Sequence, residues 1–203
     1  MFDYIFLCGG SSSRLGNFKP CISFKGNSLI KHVICELENI CGRIILAVKY
    51  RWQEKSIRRI LADSDGNLIF SYDSSIDSLL GGVLGGLKYV DERYVFVTGA
   101  DMPLIKSITV SLIMNRLFRG GVDAVVSKWS NGYLEPLHSG FSAFSLRRVL
   151  EGLDGGSISF RRVIGMLGSV LCVSCEKLVE MAGCNIFFNV NSPSNLQILN
   201  VFS

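Results

Sequence analysis

Nowhere does the 203-residue sequence approach the ~20 consecutive apolar residues that a membrane-spanning helix needs. Met1 to Cys8 is apolar, yet it lacks the basic opening and small-residue cleavage site of a signal peptide, so a strand is expected there. There is no long basic tract. The net charge is +4, from 21 Lys+Arg against 17 Asp+Glu, which is too small an excess to argue for nucleic acid or for electrostatic recruitment to a membrane. It does fit a small anionic substrate. The seven cysteines are odd in number and scattered, so they cannot all pair within the chain, and a reducing, cytoplasmic compartment is expected. Repeats, low-complexity tracts and obvious linkers are all missing. With 48% hydrophobic and 19% charged residues, the chain can fill a sizeable core, and its length suits one domain. Two familiar nucleotide motifs are missing as well. Gly9-Gly10 is followed next by Gly16, which excludes G-x-G-x-x-G, and Lys19 is followed by Pro20, which excludes a G-K-[ST] P-loop.

What is present is concentrated at the start. An apolar run, Tyr4 to Cys8, has the length of a buried strand and stops at Gly9-Gly10. Ser11, Ser12, Ser13, Arg14, Gly16 and Lys19 follow. Glycines and serines carry little bulk, so backbone N–H groups in such a loop can wrap an anion. Arg14 and Lys19 add two positive charges where phosphates would sit. The combination suits a nucleoside triphosphate.

Downstream, short apolar runs alternate with amphipathic segments. Strands are expected at 44–48, 67–72, 94–98, 122–127, one or two within 133–144, and at 169–173 and 185–190. Helices are expected from a Ser28 cap to about residue 40, and over 52–62, 79–91, 107–119 and 146–153. Two more are expected, over 157–166 with Ser157 as cap and from a Ser192 cap with Pro193 at the first position to about residue 199. Such alternation is the pattern of an α/β fold with a mainly parallel central sheet flanked by helices. In such sheets ligands bind at the carboxyl ends of the strands. Asp101 follows the Tyr94–Thr98 run and so falls on the same edge as the opening loop. A carboxylate beside a triphosphate calls for an intervening cation, and Mg²⁺ takes one or two carboxylates plus phosphate oxygens. The other reading of Asp101, a cap for the next helix, is less attractive because Ser107 is better placed to serve as that cap.

Taken in order, several motifs resemble those of the molybdenum cofactor guanylyltransferases. They are the opening loop with Lys19, Gly82-Val83-Leu84-Gly85-Gly86, Asp101-Met102-Pro103, Glu135-Pro136-Leu137-His138 and Phe188-Asn189-Val190-Asn191-Ser192-Pro193. The opening motif is shared by many nucleotidyltransferases, and the two late motifs narrow the resemblance to this family. The resemblance implies a Rossmann-like nucleotidyltransferase fold in a single domain, residues 1–105 mainly for the nucleotide and 106–203 mainly for the acceptor. It implies transfer of GMP from GTP to the terminal phosphate of molybdenum-loaded molybdopterin, with release of pyrophosphate. By the same resemblance, Leu7, Cys8, Gly9, Gly10, Ser11, Ser12, Ser13, Asp73 and Gly82 would line the nucleotide. Arg14 and Lys19 would hold its triphosphate, Asp101 would carry Mg²⁺, and Asn189 and Asn191, with His138, would face the acceptor.

The chain departs from the family pattern in three places. Phe18-Lys19 stands for Asp-Lys, the glycine run lacks its proline, and Lys49-Tyr50-Arg51 stands for Ala-Asn-Arg. The third leaves the base open, and with it a related enzyme: a cytidylyltransferase of the same cofactor, a phospholactate guanylyltransferase or a sugar-phosphate nucleotidyltransferase. A nucleotide-binding regulator without catalysis is a third class, and the retained Arg14, Lys19 and Asp101 argue against it. Asp77 is a second candidate for the role of Asp73. His138 reads equally as a phosphate ligand or as a hydrogen-bonded structural residue. Cys172, Cys175 and Cys184 lack a fourth zinc ligand and are read as buried structural thiols.

Overall fold

The computed structural model describes residues 1–10, 18–62, 68–73, 78–153 and 158–201, with the backbone alone at 193, 200 and 201. Its centre is a seven-stranded sheet. The strands are β1 (Asp3–Leu7), β4 (Ile44–Val48), β5 (Leu68–Tyr72), β6 (Tyr94–Gly99), β7 (Ala124–Lys128), β8 (Leu134–Ser142) and β9 (Val170–Ser174), in the order β5-β4-β1-β6-β8-β7-β9. The expected 133–144 region is one long strand, β8. It alone runs antiparallel, bonded to β6 on one side and β7 on the other. A small hairpin, β2 (Ser23–Phe24) with β3 (Asn27–Ser28), lies outside this sheet.

Period-two alternation along the strands builds two cores. Tyr4 and Phe6 of β1, Leu46 of β4 and Phe96 of β6 face one side. There they meet α1 (Leu29–Leu37), α2 (Arg51–Ile60), α4 (Ser107–Gly120) and α7 (Cys175–Ala182). Ile5, Ile45 and Val97 face the other side, against α3 (Leu79–Leu87), α5 (Ala143–Glu151) and α6 (Phe160–Gly165). Each such fully buried side chain contributes about 1.5–3 kcal/mol relative to exposure. No helix among the described residues is long and apolar enough to cross a membrane.

The register fixes where the strands end. Leu7 is level with Ala47 on β4 and with Gly99 on β6. The turns after β1, β4 and β6 therefore leave the sheet side by side.

Four expectations are corrected. Residues 185–190 are not a strand, because their amides are spent locally and on a neighbouring turn. The Phe188 N–H donates to the Asn185 carbonyl and the Val190 N–H to the Asp101 carbonyl. A helix missing from the sequence reading, α7, follows β9 directly; Ser174 caps it and Gly183, at φ 68°, ends it. The cap of α6 is Ser159, while Ser157 lies outside the described residues. Ser107 is the first residue of α4 and not its cap. Its N–H and hydroxyl both donate to Glu36 of α1, at 2.9 Å each, so a carboxylate from another helix satisfies that N-terminus. Ser28 and Ser192 cap as expected, accepting from the Lys31 and Asn195 amides respectively, and the latter opens α8 (Pro193–Val201).

Helix α3 touches the sheet through glycine. A methyl group on Gly85 would lie 2.1 Å from the Tyr72 carbonyl oxygen, and one on Gly86 would lie 3.0 Å from Ile5. Backbone therefore packs on backbone, and the neighbouring Gly82 comes down beside Leu7 and Asp73. Alanine in a helix interior is ordinarily about 1 kcal/mol better than glycine. Here the sign should invert: Gly85→Ala is expected to lower unfolding free energy by about 1–3 kcal/mol in a urea titration, through overpacking.

Candidate active site

At the carboxyl edge of β1, β4 and β6 the three adjacent turns enclose a cavity of about 420 Å³. Leu7, Cys8, Gly9 and Gly10 form one wall, and Asp73 and Gly82 another. Lys19 and Asp101 close the far end. Eight residues expected at a nucleotide site thus share one cavity. Ser11, Ser12, Ser13, Arg14 and Asp77 lie outside the described residues.

The glycines have local reasons. A methyl group on Gly9 would meet Lys49 at 3.4 Å and Asp73 at 3.6 Å, so the loop passes close over the end of β4. A methyl group on Gly99 would lie 2.5 Å from Asp101 Oδ1, so glycine at the end of β6 is what lets that carboxylate fold back toward the sheet. Cys8 also reaches the cavity, but burial pushes its thiol well above the ordinary range. It is a neutral wall group and not a nucleophile.

Lys19 stands in the first turn after the opening loop, a 3₁₀ turn over Lys19–Cys21 with Pro20 buried beneath it. Its ammonium is 4.0 Å from Asp101 Oδ2 and donates to Asn191 Oδ1 at 2.5 Å. The late asparagine motif is thereby carried to the cation of the first loop. It is anchored by the Val190 N–H bond to the Asp101 carbonyl and by Val190 itself, which is fully buried with Phe24, Leu29 and Leu199. Asn189 points its amide to the Phe187 carbonyl at 3.2 Å and has no place in the cavity wall.

Lys49 and Tyr50 border the cavity beyond Gly9. The Tyr50 ring is about half exposed, 48%, and lies nearly parallel to Trp52, at 13° with centroids 6.4 Å apart; Phe18 packs edge-on against Trp52 at 5.1 Å. The residue that departs from the family pattern is thus part of an aromatic cluster at the rim.

Gln53 escaped the sequence reading. It is fully buried, and its side chain contacts both the Lys49–Tyr50 turn and the glycine loop. The available signal was its position, the third residue of a helix that follows a strand, where Glu or Gln commonly reaches back to the cap.

The carboxylates present suit a hard cation. Asp101 and Asp73 both line the cavity, and no cluster of three or more His, Cys, Asp or Glu occurs among the described residues. A metal held by one or two carboxylates and completed by phosphate oxygens is the Mg²⁺ pattern, whereas a zinc site would need more protein ligands. The cysteines offer none. Cys175 is buried, and that burial pushes its thiol up to about 12. Cys172, expected to be buried, is exposed on β9, an edge strand with one free side.

Comparison with known proteins gives a consistent picture. The family model described as MobA-like NTP transferase domain matches residues 4–170. A protein of Pyrococcus horikoshii named "probable molybdenum cofactor guanylyltransferase" is 33% identical, with 95% of this chain and 96% of that one covered. A protein of the same name from Pyrococcus furiosus is 30% identical, with 97% and 95% covered. Among solved structures, the molybdopterin-guanine dinucleotide biosynthesis protein A of Archaeoglobus fulgidus superposes with a TM-score of 0.75 at 21% identity, covering 98% of this chain and 97% of that one. A 4-diphosphocytidyl-2C-methyl-D-erythritol synthase of Anaerococcus prevotii gives 0.76 at 16%, covering 98% and 94%, a likeness of fold alone.

His138 takes the structural of its two readings. It is fully buried on β8, ringed edge-on by Phe96 and Phe187, and does not reach the cavity. Its Nε2 lies 3.3 Å from the Thr109 hydroxyl, which itself donates to the Lys106 carbonyl, so Nε2 carries the proton. Its Nδ1 has no partner among the described residues. Burial lowers the pKa of His138 to about 3. The unfolded chain, near 6.5, then binds the proton that the folded chain refuses. Stability from this group is full above about pH 6.5 and is lost as pH falls from there toward 3, at up to about 1.4 kcal/mol per pH unit. Urea titrations at pH 7, 6, 5 and 4 should show that loss, and His138→Asn should flatten it while lowering stability at pH 7.

Proposed function

Since the chain belongs to the MobA-like NTP transferase family, we propose that it transfers GMP from GTP to the terminal phosphate of molybdenum-loaded molybdopterin, releasing pyrophosphate. The observation that carries the proposal is the contact of Asn191 with Lys19 beside Asp101. A late segment of the chain thereby meets Lys19, a residue of the cavity wall. The division of labour between residues 1–105 and 106–203 belongs to the same proposal.

In this reaction the acceptor phosphate attacks the α-phosphorus of GTP and the bond to the β-phosphate oxygen breaks. The nucleophile is already ionised near neutral pH, so no side chain need remove a proton. The obstacle is the approach of two anions, and the remedy is positioning and charge. Lys19, with Arg14 from the same loop, holds the triphosphate and stabilises the charge that accumulates on the leaving pyrophosphate. Gly9 and Gly10 let backbone amides approach the phosphates. Asp73, whose carboxylate lies beside Gly9 and Gly82, would meet the nucleoside. Asp101 is the residue that would hold Mg²⁺. When bound, that ion adds positive charge against the phosphate oxygens. Asn191, by accepting from Lys19, aims the ammonium and brings the acceptor segment to it. Asn189 supports that segment from behind.

Two measurements test this. The protein is incubated with each of the four ribonucleoside triphosphates in turn, Mg²⁺ and molybdenum-loaded molybdopterin, and pyrophosphate is measured. Release with GTP alone is expected; release with CTP instead would assign the cytidylyltransferase reaction, and release with none would point to a binding protein. Asp101→Ala is expected to lower turnover by about 10²–10³-fold with an unchanged urea midpoint. Near-normal turnover in that variant would remove Asp101 from the metal-holding role.

A further inference from the structure

Gln53 makes bonds to both sides of the cavity entrance. Its Oε1 accepts from the Lys49 N–H at 2.7 Å and from the Tyr50 N–H at 3.1 Å. Its Nε2 donates to the Gly9 carbonyl at 3.4 Å and to the Gly10 carbonyl at 3.5 Å. The orientation of the amide is settled by these partners, since two backbone N–H groups can only donate and two carbonyls can only accept. The residue is 0% exposed. A buried primary amide with this set of partners has all of its hydrogen-bonding capacity tied to backbone, so it cannot turn without leaving buried groups unpaired.

The geometry points to Gln53 as a positioning residue for the triphosphate, resting on the nucleotide reading of this cavity. In a trans peptide the carbonyl and the N–H lie in one plane and point in opposite directions. By drawing the Gly9 carbonyl toward itself, Gln53 turns the Gly10 N–H to the other side, and Gly10 lines the cavity. Between glycines, which have no side chain to hold the backbone in one orientation, the plane would otherwise be free to present its carbonyl oxygen to an anion. Gln53 therefore selects the face of the loop that phosphate meets, while its other end caps α2 and holds the Tyr50 turn. The two functions sit on different atoms and can be separated.

Gln53→Met loses both ends; Gln53→Glu keeps the acceptor for the Lys49 and Tyr50 amides and loses the donor to the glycine carbonyls. Binding of GTP and of guanosine is measured by titration calorimetry alongside thermal melting; because salt screens a buried carboxylate little, loss of the donor is separated from the new charge by the Gly10 amide shift in the wild type. For Gln53→Met, the melting temperature and GTP affinity both fall. For Gln53→Glu, whose second carboxylate oxygen would face the two glycine carbonyls, the melting temperature falls as well, while GTP affinity drops roughly tenfold and guanosine affinity is unchanged. Equal loss for GTP and guanosine, or wild-type GTP affinity in folded Gln53→Glu, overturns the positioning role and leaves the nucleotide site standing. Absence of binding of any of the four ribonucleoside triphosphates in the wild type removes the site itself and the role with it. Should Gln53→Glu fail to fold, the wild type still decides by NMR. The Gly10 amide is expected to shift on titration with GTP and not with guanosine, and the Gln53 side-chain amide protons to be protected from exchange. An unmoved Gly10 amide or rapidly exchanging Gln53 amide protons overturns the role.

Discussion

Everything at the cavity depends on the parallel pairing of β1 between β4 and β6. Because Leu7, Ala47 and Gly99 are level, three chain reversals are forced to occur at the same height. A shift of one residue in either ladder would turn the side chains of that strand to the opposite core and stagger the turns. The two cores guard against such a shift. Tyr4, Phe6 and Phe96 fill one face and Ile5, Ile45 and Val97 the other, so a slipped strand has no apolar place to go on either side. The register that the hydrophobic pattern enforces is the same register that gathers the polar loops.

Close approach is the second constraint. The glycine run of α3 lets that helix settle on the backbone of β5, and this brings Gly82 against Leu7 and Asp73. The wall of the cavity is thus a by-product of helix packing. Gly99 plays the matching part on β6 by leaving room for the Asp101 carboxylate. Between them the ammonium of Lys19 lies near enough to Asp101 to offset its charge, and Asn191 adds a neutral acceptor.

Much of this was legible from the residues. The strands at 44–48 and 94–98 and the opening strand declared themselves by unbroken apolar runs bounded by turn residues, and the α/β architecture followed from their alternation with helices. What was not legible was set by distant partners. Residues 185–190 look like a strand because they are apolar and carry β-favouring residues, yet their burial comes from wrapping the Asp101 turn. The cap of α4 comes from Glu36 on another helix, which no local pattern announces. Cys172 is exposed because its strand lies at the sheet edge, with a neighbouring strand on one side only. His138 lay in a functional-looking motif, and only the packing of Phe96 and Phe187 around it shows that it belongs to the core.

The contact between Lys19 and Asn191 joins the first tenth of the chain to its last. A chain emerging from the ribosome lays down the sheet and the glycine loop early, but Lys19 acquires its asparagine only when residues 188–191 have been made and have closed on the Asp101 turn. The order of synthesis therefore separates a core that is nearly complete from a contact that is not, and a product truncated before residue 185 would keep most of the core while lacking the asparagine that accepts from Lys19.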